Sequence, residues 1–147
     1  MKAFTIVSLA AALVAAAPGL DKRTENIRID HFEIEKTVNN NYPIINMVSF
    51  VLAGHDNQPV SCAAFNPDYK DQSNANGVYK CSNADKWSFS IYPGKTPDSI
   101  KLNLFQNVPD HTTRNALGEI ALVCAPIPAA QNKFRCGQAN QNVFVMA

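Results

Sequence analysis

Between Ser61 and Tyr92 the chain reads SCAAFNPDYKDQSNANGVYKCSNADKWSFSIY, and no other stretch restricts its fold as strongly. Cys62 and Cys81 bracket a polar loop, and the only tryptophan follows in an alternating segment. Asn66 to Gly77 collects the residues that favour turns, because their side chains bond to nearby backbone, fix φ or tolerate left-handed conformations. Val78, Tyr79 and Cys81 resume an extended pattern, and Ser82 to Asp85 turns the chain again. Trp87, Phe89 and Ile91 then share one parity, with Ser88, Ser90 and Tyr92 on the other. Side chains alternate across a strand, so this predicts a half-buried strand with Trp87 in the core and the serines outside.

The N-terminus is set aside before the fold is considered. Lys2, the apolar run Phe4 to Val14 and the small residues Val14-Ala15-Ala16 form the three parts of a secretory signal peptide, assigned to residues 1–16. The apolar run is shorter than the roughly 20 residues a spanning helix requires. Residues 17–23 read as a propeptide ending in the dibasic pair Lys22-Arg23, with an exposed charged linker as the alternative. Residues 24–147 suit one compact domain. Removing Lys2, Lys22, Arg23 and Asp21 takes away three positive charges and one negative, turning the net charge from +1 to −1. A near-neutral surface without a basic cluster argues against nucleic acid or anionic membrane as the partner.

Four cysteines in an exported chain imply two disulfides. Three connectivities are open in principle. The spacings favour Cys62 with Cys81 and Cys124 with Cys136, since each pair brackets a turn-rich loop between neighbouring strands. Closing loops of this size contributes on the order of 3 kcal/mol each in the chain-entropy model. With no CxxC and no paired histidines, neither a metal nor another cofactor is expected.

Elsewhere the patterns are those of short strands. Ile27, Ile29, Phe32 and Ile34 alternate with polar residues but change parity midway, which a bulge near Asp30 and His31 would reconcile. Thr37 to Pro43 reads as a loop, and Ile44 to Ala53 as a strand rich in β-branched residues. Pro93 to Asp98 is a turn leading into Ile100, Leu102 and Leu104, which predicts a hairpin. Asn107 to Asn115 reads as a second polar connection, after which Ile120, Leu122 and Cys124 share a parity until Pro126 and Pro128 stop the strand. Phe134 and Cys136 return, and Val143 to Met146 closes the chain. Roughly eight or more strands without an amphipathic helix predict an all-β fold: a compact single-domain antiparallel barrel or sandwich.

Little in the sequence carries catalytic chemistry. His31 beside Asp30 and Glu33 could serve acid–base work, although such clusters are more often a solvated strand face. His55 and His111 sit in polar turns, and the pairs Asp68/Asp71 and Glu33/Glu35 read as surface charge. There is no G-x-S-x-G, no phosphate-binding glycine loop and, with the cysteines paired, no thiol nucleophile. Asn39 to Tyr42 and Tyr69 to Asn76 combine tyrosines with adaptable polar groups, which marks Asn40, Tyr42, Tyr69 and Asn74 as candidate loop-surface binding residues. The chain contains no Asn-x-Ser/Thr sequon to mask those loops.

Together the segments IRIDHFEIE, SFVLAGHDN followed by VSCAAF, VYKCSNADKWSFSIY, SIKLNLFQNV, GEIALVCAP and FRCGQANQNVFV resemble one family. It comprises small secreted fungal proteins related to the major allergen of Alternaria, among them cell-death elicitors of plant pathogens. The resemblance covers Ile27 to the C-terminus and places the family's two intrachain disulfides on Cys62, Cys81, Cys124 and Cys136. It implies a β-barrel without established enzymatic activity, secreted into host tissue. Members are linked to plant recognition, thaumatin-like defence proteins, flavonoid-type ligands and IgE. The allergen's extra N-terminal cysteine is missing here, so a disulfide-linked dimer is not expected, while a non-covalent one stays open. The expected function is that of a secreted, non-enzymatic effector or elicitor acting in the host apoplast on an extracellular protein. The alternatives are a carrier of a phenolic or lipid-like ligand, and a cryptic hydrolase centred on His31.

Overall fold

The computed structural model describes residues 25–39, 42–53, 58–69, 77–83, 85–108 and 112–146. Among the described residues nine antiparallel strands follow one another: β1 (Glu25–Asn39), β2 (Tyr42–Ala53), β3 (Val60–Phe65), β4 (Tyr79–Lys80), β5 (Trp87–Pro93), β6 (Ser99–Asn107), β7 (Thr113–Pro126), β8 (Lys133–Gln138) and β9 (Asn142–Met146). They hydrogen-bond in the order β3-β2-β1-β8-β7-β6-β5-β4, with β9 alongside the first part of β1. The result is a nearly closed antiparallel barrel. β7 belongs to both of its halves, pairing with β6 from Thr113 to Ala121 and with β8 from Leu122 to Pro126.

The expected bulge in β1 is present, because the register with β2 shifts between Asp30 and Glu33. His31 takes the left-handed region there, with φ of 53°. The extra residue lets Ile27 and Ile29 face inward before the bulge and Phe32 and Ile34 after it, and all four are buried. β1 also changes neighbour at this point, from β9 along Glu25 to Ile29 to β8 along Glu33 to Thr37. The break is bridged by Gln138, whose Oε1 accepts from Phe32 N–H at 2.9 Å while its Nε2 donates to the Ile29 carbonyl at 3.1 Å. A second register shift, between Glu35 and Lys36, passes over Asn46 of β2 and lets Ile45 face inward with Val48, Phe50 and Leu52, while Lys36 continues the inward parity of Phe32 and Ile34.

Phe32, Phe50 and Phe89 are buried in the core, with ring centroids 5.6 and 4.9 Å apart along the series. Trp87 is buried in the core, as its parity predicts. Full burial of side chains of this size contributes about 1.5–3 kcal/mol each. The opposite face of β5 departs from expectation. Ser90 is completely buried, and its Oγ lies 3.1 Å from the Tyr92 hydroxyl on the same face, which closes over a serine that parity assigns to solvent.

The ends of the sheet, β3 and β4, are joined by the Cys62–Cys81 disulfide and two hydrogen bonds, Ser82 N–H to the Ser61 carbonyl and Ser61 N–H to Ser82 Oγ. Cys124 and Cys136 form the second disulfide, between directly opposed residues of β7 and β8. Both expected pairings hold, and all four cysteines lie in intrachain bonds.

Two connections are shorter than their composition suggests. Pairing of Thr37 with Ile44 and of Asn39 with Tyr42 carries the strands through most of the expected Thr37 to Pro43 loop. Likewise β6 runs to Asn107 and β7 starts at Thr113, because Asn115 and Thr113 find cross-strand partners in Phe105 and Asn107. Polar turn-forming residues join a ladder wherever the opposite strand offers register.

Candidate functional site

Of the four loop residues singled out in the sequence, Tyr42 and Tyr69 fall among the described residues. Asn40 and Asn74 lie outside the described residues, as do Lys22, Arg23, His55, Asp71 and His111. Tyr42 opens β2 in register with Asn39 instead of lying in a loop. The Tyr69 ring is half-buried against the core, where burial pushes its phenol up and the Gly94 N–H partly offsets that rise. Asp68 has its backbone N–H tied to the Tyr79 hydroxyl at 2.6 Å.

His31, Asp30 and Glu33, by contrast, border a formed feature. On the outer face of β1 and β8, His31, Phe32, Glu33, Arg135 and Gly137 line an open depression of about 270 Å³. Its geometry follows from register. Gly137 sits opposite Glu33 on one side and Val123 on the other, and Arg135 sits opposite Glu35 and Ala125. Residues 135 and 137 share the outward parity, because Cys136 between them is fully buried. A residue without a side chain in the middle of a sheet face leaves a gap bounded by its neighbours.

Arg135 organises the charge beside this gap. Its Nε lies 3.1 Å from Glu33 Oε1 and its Nη2 4.0 Å from Glu35 Oε2, so one guanidinium spans two carboxylates. At the bulge, Arg28 Nε donates to Asp30 Oδ2 at 2.7 Å and Gln141 Nε2 to Oδ1 at 3.3 Å. The hydrogen bond from Arg28 is the main reason the Asp30 carboxyl lies below its ordinary range. General acid catalysis needs a carboxyl that holds its proton near the working pH. Asp30 is shifted the opposite way and Glu33 is engaged by Arg135, so neither carboxyl is set up as a general acid. Among the described residues, no three His, Cys, Asp or Glu side chains gather as a metal site.

Val123, Arg135 and Gly137 were not singled out in the sequence as candidates. The available signal was an isolated glycine within a strand pattern, which suggests a bulge or a close approach by another group. The partners across the sheet become visible only once the register is known.

A family model described as Alternaria alternata allergen 1 matches residues 29–136. Among solved structures, the fold is similar to two crystal structures of the Alternaria alternata major allergen Alt a 1, each 18% identical with a TM-score of 0.63. Each alignment covers 83% of this chain, and 87% and 92% of the respective allergen chains. No curated protein sequence matches the chain. At that identity the likeness to the two crystal structures establishes a common fold.

Proposed function

The chain belongs to the Alternaria alternata allergen 1 family, and from that premise we propose that it is a secreted, non-enzymatic effector-like protein that binds an extracellular host protein. In this reading residues 1–16 direct export, residues 17–23 are removed after Lys22-Arg23, and the barrel domain meets its target in the plant apoplast. The observation that carries it is the depression over Gly137, a recess in a laddered wall whose bordering charges are already held in ion pairs. Such a surface is ordered before a partner arrives, which limits the ordering entropy that binding must overcome. The Phe32–Phe50–Phe89 series is packed within the buried core, so a phenolic or lipid-like ligand entering there would have to displace these rings or bind outside them.

The test is retention from plant extracellular fluid by the immobilised protein, with a reduced and alkylated sample as control and mass spectrometry as the readout. A protein retained only by the native fold, of the thaumatin-like defence class, is the expected result. Equal retention by the reduced chain would mean that a linear segment suffices. With no retained protein, the carrier reading takes over and predicts saturable quenching of Trp87 fluorescence by phenolics or fatty acids.

A further inference from the structure

Resting on the partner-binding reading, we infer that Gly137 is the floor of a subsite for a planar aromatic ring carried by the partner polypeptide. The reasoning starts from why this residue is glycine. A side chain at Gly77 would collide with the Tyr79 phenol, one at Gly94 with Ser99, and one at Gly118 with the Phe144 ring, so packing inside the molecule requires those three. At Gly137 an added Cβ meets nothing nearer than the Phe32 carbonyl oxygen, 3.8 Å away. None of the described glycines has a positive φ, so its backbone does not demand glycine either. Glycine within a strand is unfavourable relative to a β-branched residue, and it often marks the close approach of another group. Here the open space lies on the outside.

A second comparison within the molecule indicates what fills it. Glycines in sheets are stabilised when an aromatic ring covers the exposed backbone. Gly118 has its ring on the inner face, where it shares the parity of buried Ala116 and Ile120 and the buried Phe144 ring lies against it. Gly137 has Val123 and Glu33 as its cross-strand neighbours, and neither supplies a ring. Val123 is 66% exposed and flanks Gly137 on its β7 side, while the depression itself is lined from the β1 side by His31, Phe32 and Glu33. The Arg135 side chain is 61% exposed, with its Nε tied to Glu33, so a guanidinium is held at the rim where a ring can stack on it. The volume of about 270 Å³ falls just below the usual range for small-molecule pockets, as suits one anchoring side chain.

The test uses Gly137→Val, which fills the recess without crowding the interior, with Gly137→Ala as a smaller step. N-acetyl-tryptophanamide is titrated into the labelled protein while amide shifts are followed by NMR, with N-acetyl-leucinamide as control. Expected are saturable shifts at Gly137, Val123 and Glu33 with the aromatic amide only, and at least a tenfold loss of affinity in Gly137→Val at an equal or higher Tm. Shifts located elsewhere, or unchanged affinity in a folded Gly137→Val, would overturn the subsite. The same variant is then immobilised in plant extracellular fluid. Loss of a partner that the wild type retains supports the assignment. Equal retention by both overturns the subsite and leaves partner binding intact, whereas failure of the folded wild type to retain any protein overturns the partner-binding reading itself.

Discussion

Gln138 supplies hydrogen bonds at the break where β1 passes from β9 to β8. Besides bridging Phe32 N–H and the Ile29 carbonyl, its Nε2 also donates to the Asn140 carbonyl at 3.0 Å. Gln138→Leu would leave partly buried backbone groups unpaired and is expected to cost about 1–3 kcal/mol. Denaturant unfolding and amide exchange at Phe32 measure this, and an unchanged Phe32 exchange rate would contradict the role. Glu119 holds the turn between β5 and β6 by accepting from Ser99 Oγ at 2.6 Å and from Lys95 N–H at 2.8 Å. The Ser99 hydrogen bond, then the Lys95 N–H, lower its pKa in the fold. A carboxylate with a lowered folded-state pKa contributes stability above its unfolded pKa and loses it as the pH falls through the folded value. Glu119→Gln is therefore expected to be less stable than wild type at neutral pH, with the difference in Tm closing as the pH falls below the ordinary carboxylate range. A difference independent of pH would contradict this.

At the scale of elements, the two disulfides occupy unlike positions. Cys124–Cys136 reinforces a ladder that already runs from Leu122 opposite Gln138 to Pro126 opposite Phe134. Cys62–Cys81 holds β3 to β4 at the seam, where β4 is only two residues long. Sequence separations of 19 and 12 residues differ by only about 0.4 kcal/mol in loop entropy. A Cys62→Ala/Cys81→Ala variant is expected to lose on the order of 3 kcal/mol, with exchange rising first in β3 and β5. Its loss should exceed that of Cys124→Ala/Cys136→Ala by more than loop entropy explains. Equal losses and uniform exchange would show that the seam is no weaker than the rest of the wall. These elements were legible to different degrees before the fold was known. The parity change across Asp30 and His31 located the bulge, and the alternation at Trp87 located the core. Burial of Ser90 was hidden because it depends on where Tyr92 folds over its own strand. The strand extensions through Thr37 and Asn115 were hidden for a related reason, since pairing across a sheet overrides the turn preference of asparagine.

For the whole molecule, the nearly closed barrel carries the depression over Gly137 on the outer face of β1 and β8, the surface proposed above to meet the partner. That site was the least legible part of the chain, because Gly137, Val123, Glu33 and Arg135 come from three strands and meet only through register. His31 and Glu33 were noticed for their chemistry, yet the structure gives them a rim and engages Glu33 with Arg135. The most direct measurement is hydrogen exchange with mass spectrometry on the complex with the retained host protein, compared with the free protein. Added protection should concentrate in peptides covering His31 to Glu35, Leu122 to Ala125 and Lys133 to Gln138. Protection confined to the turn between β5 and β6 or to β9, with those three segments unchanged, would contradict the account.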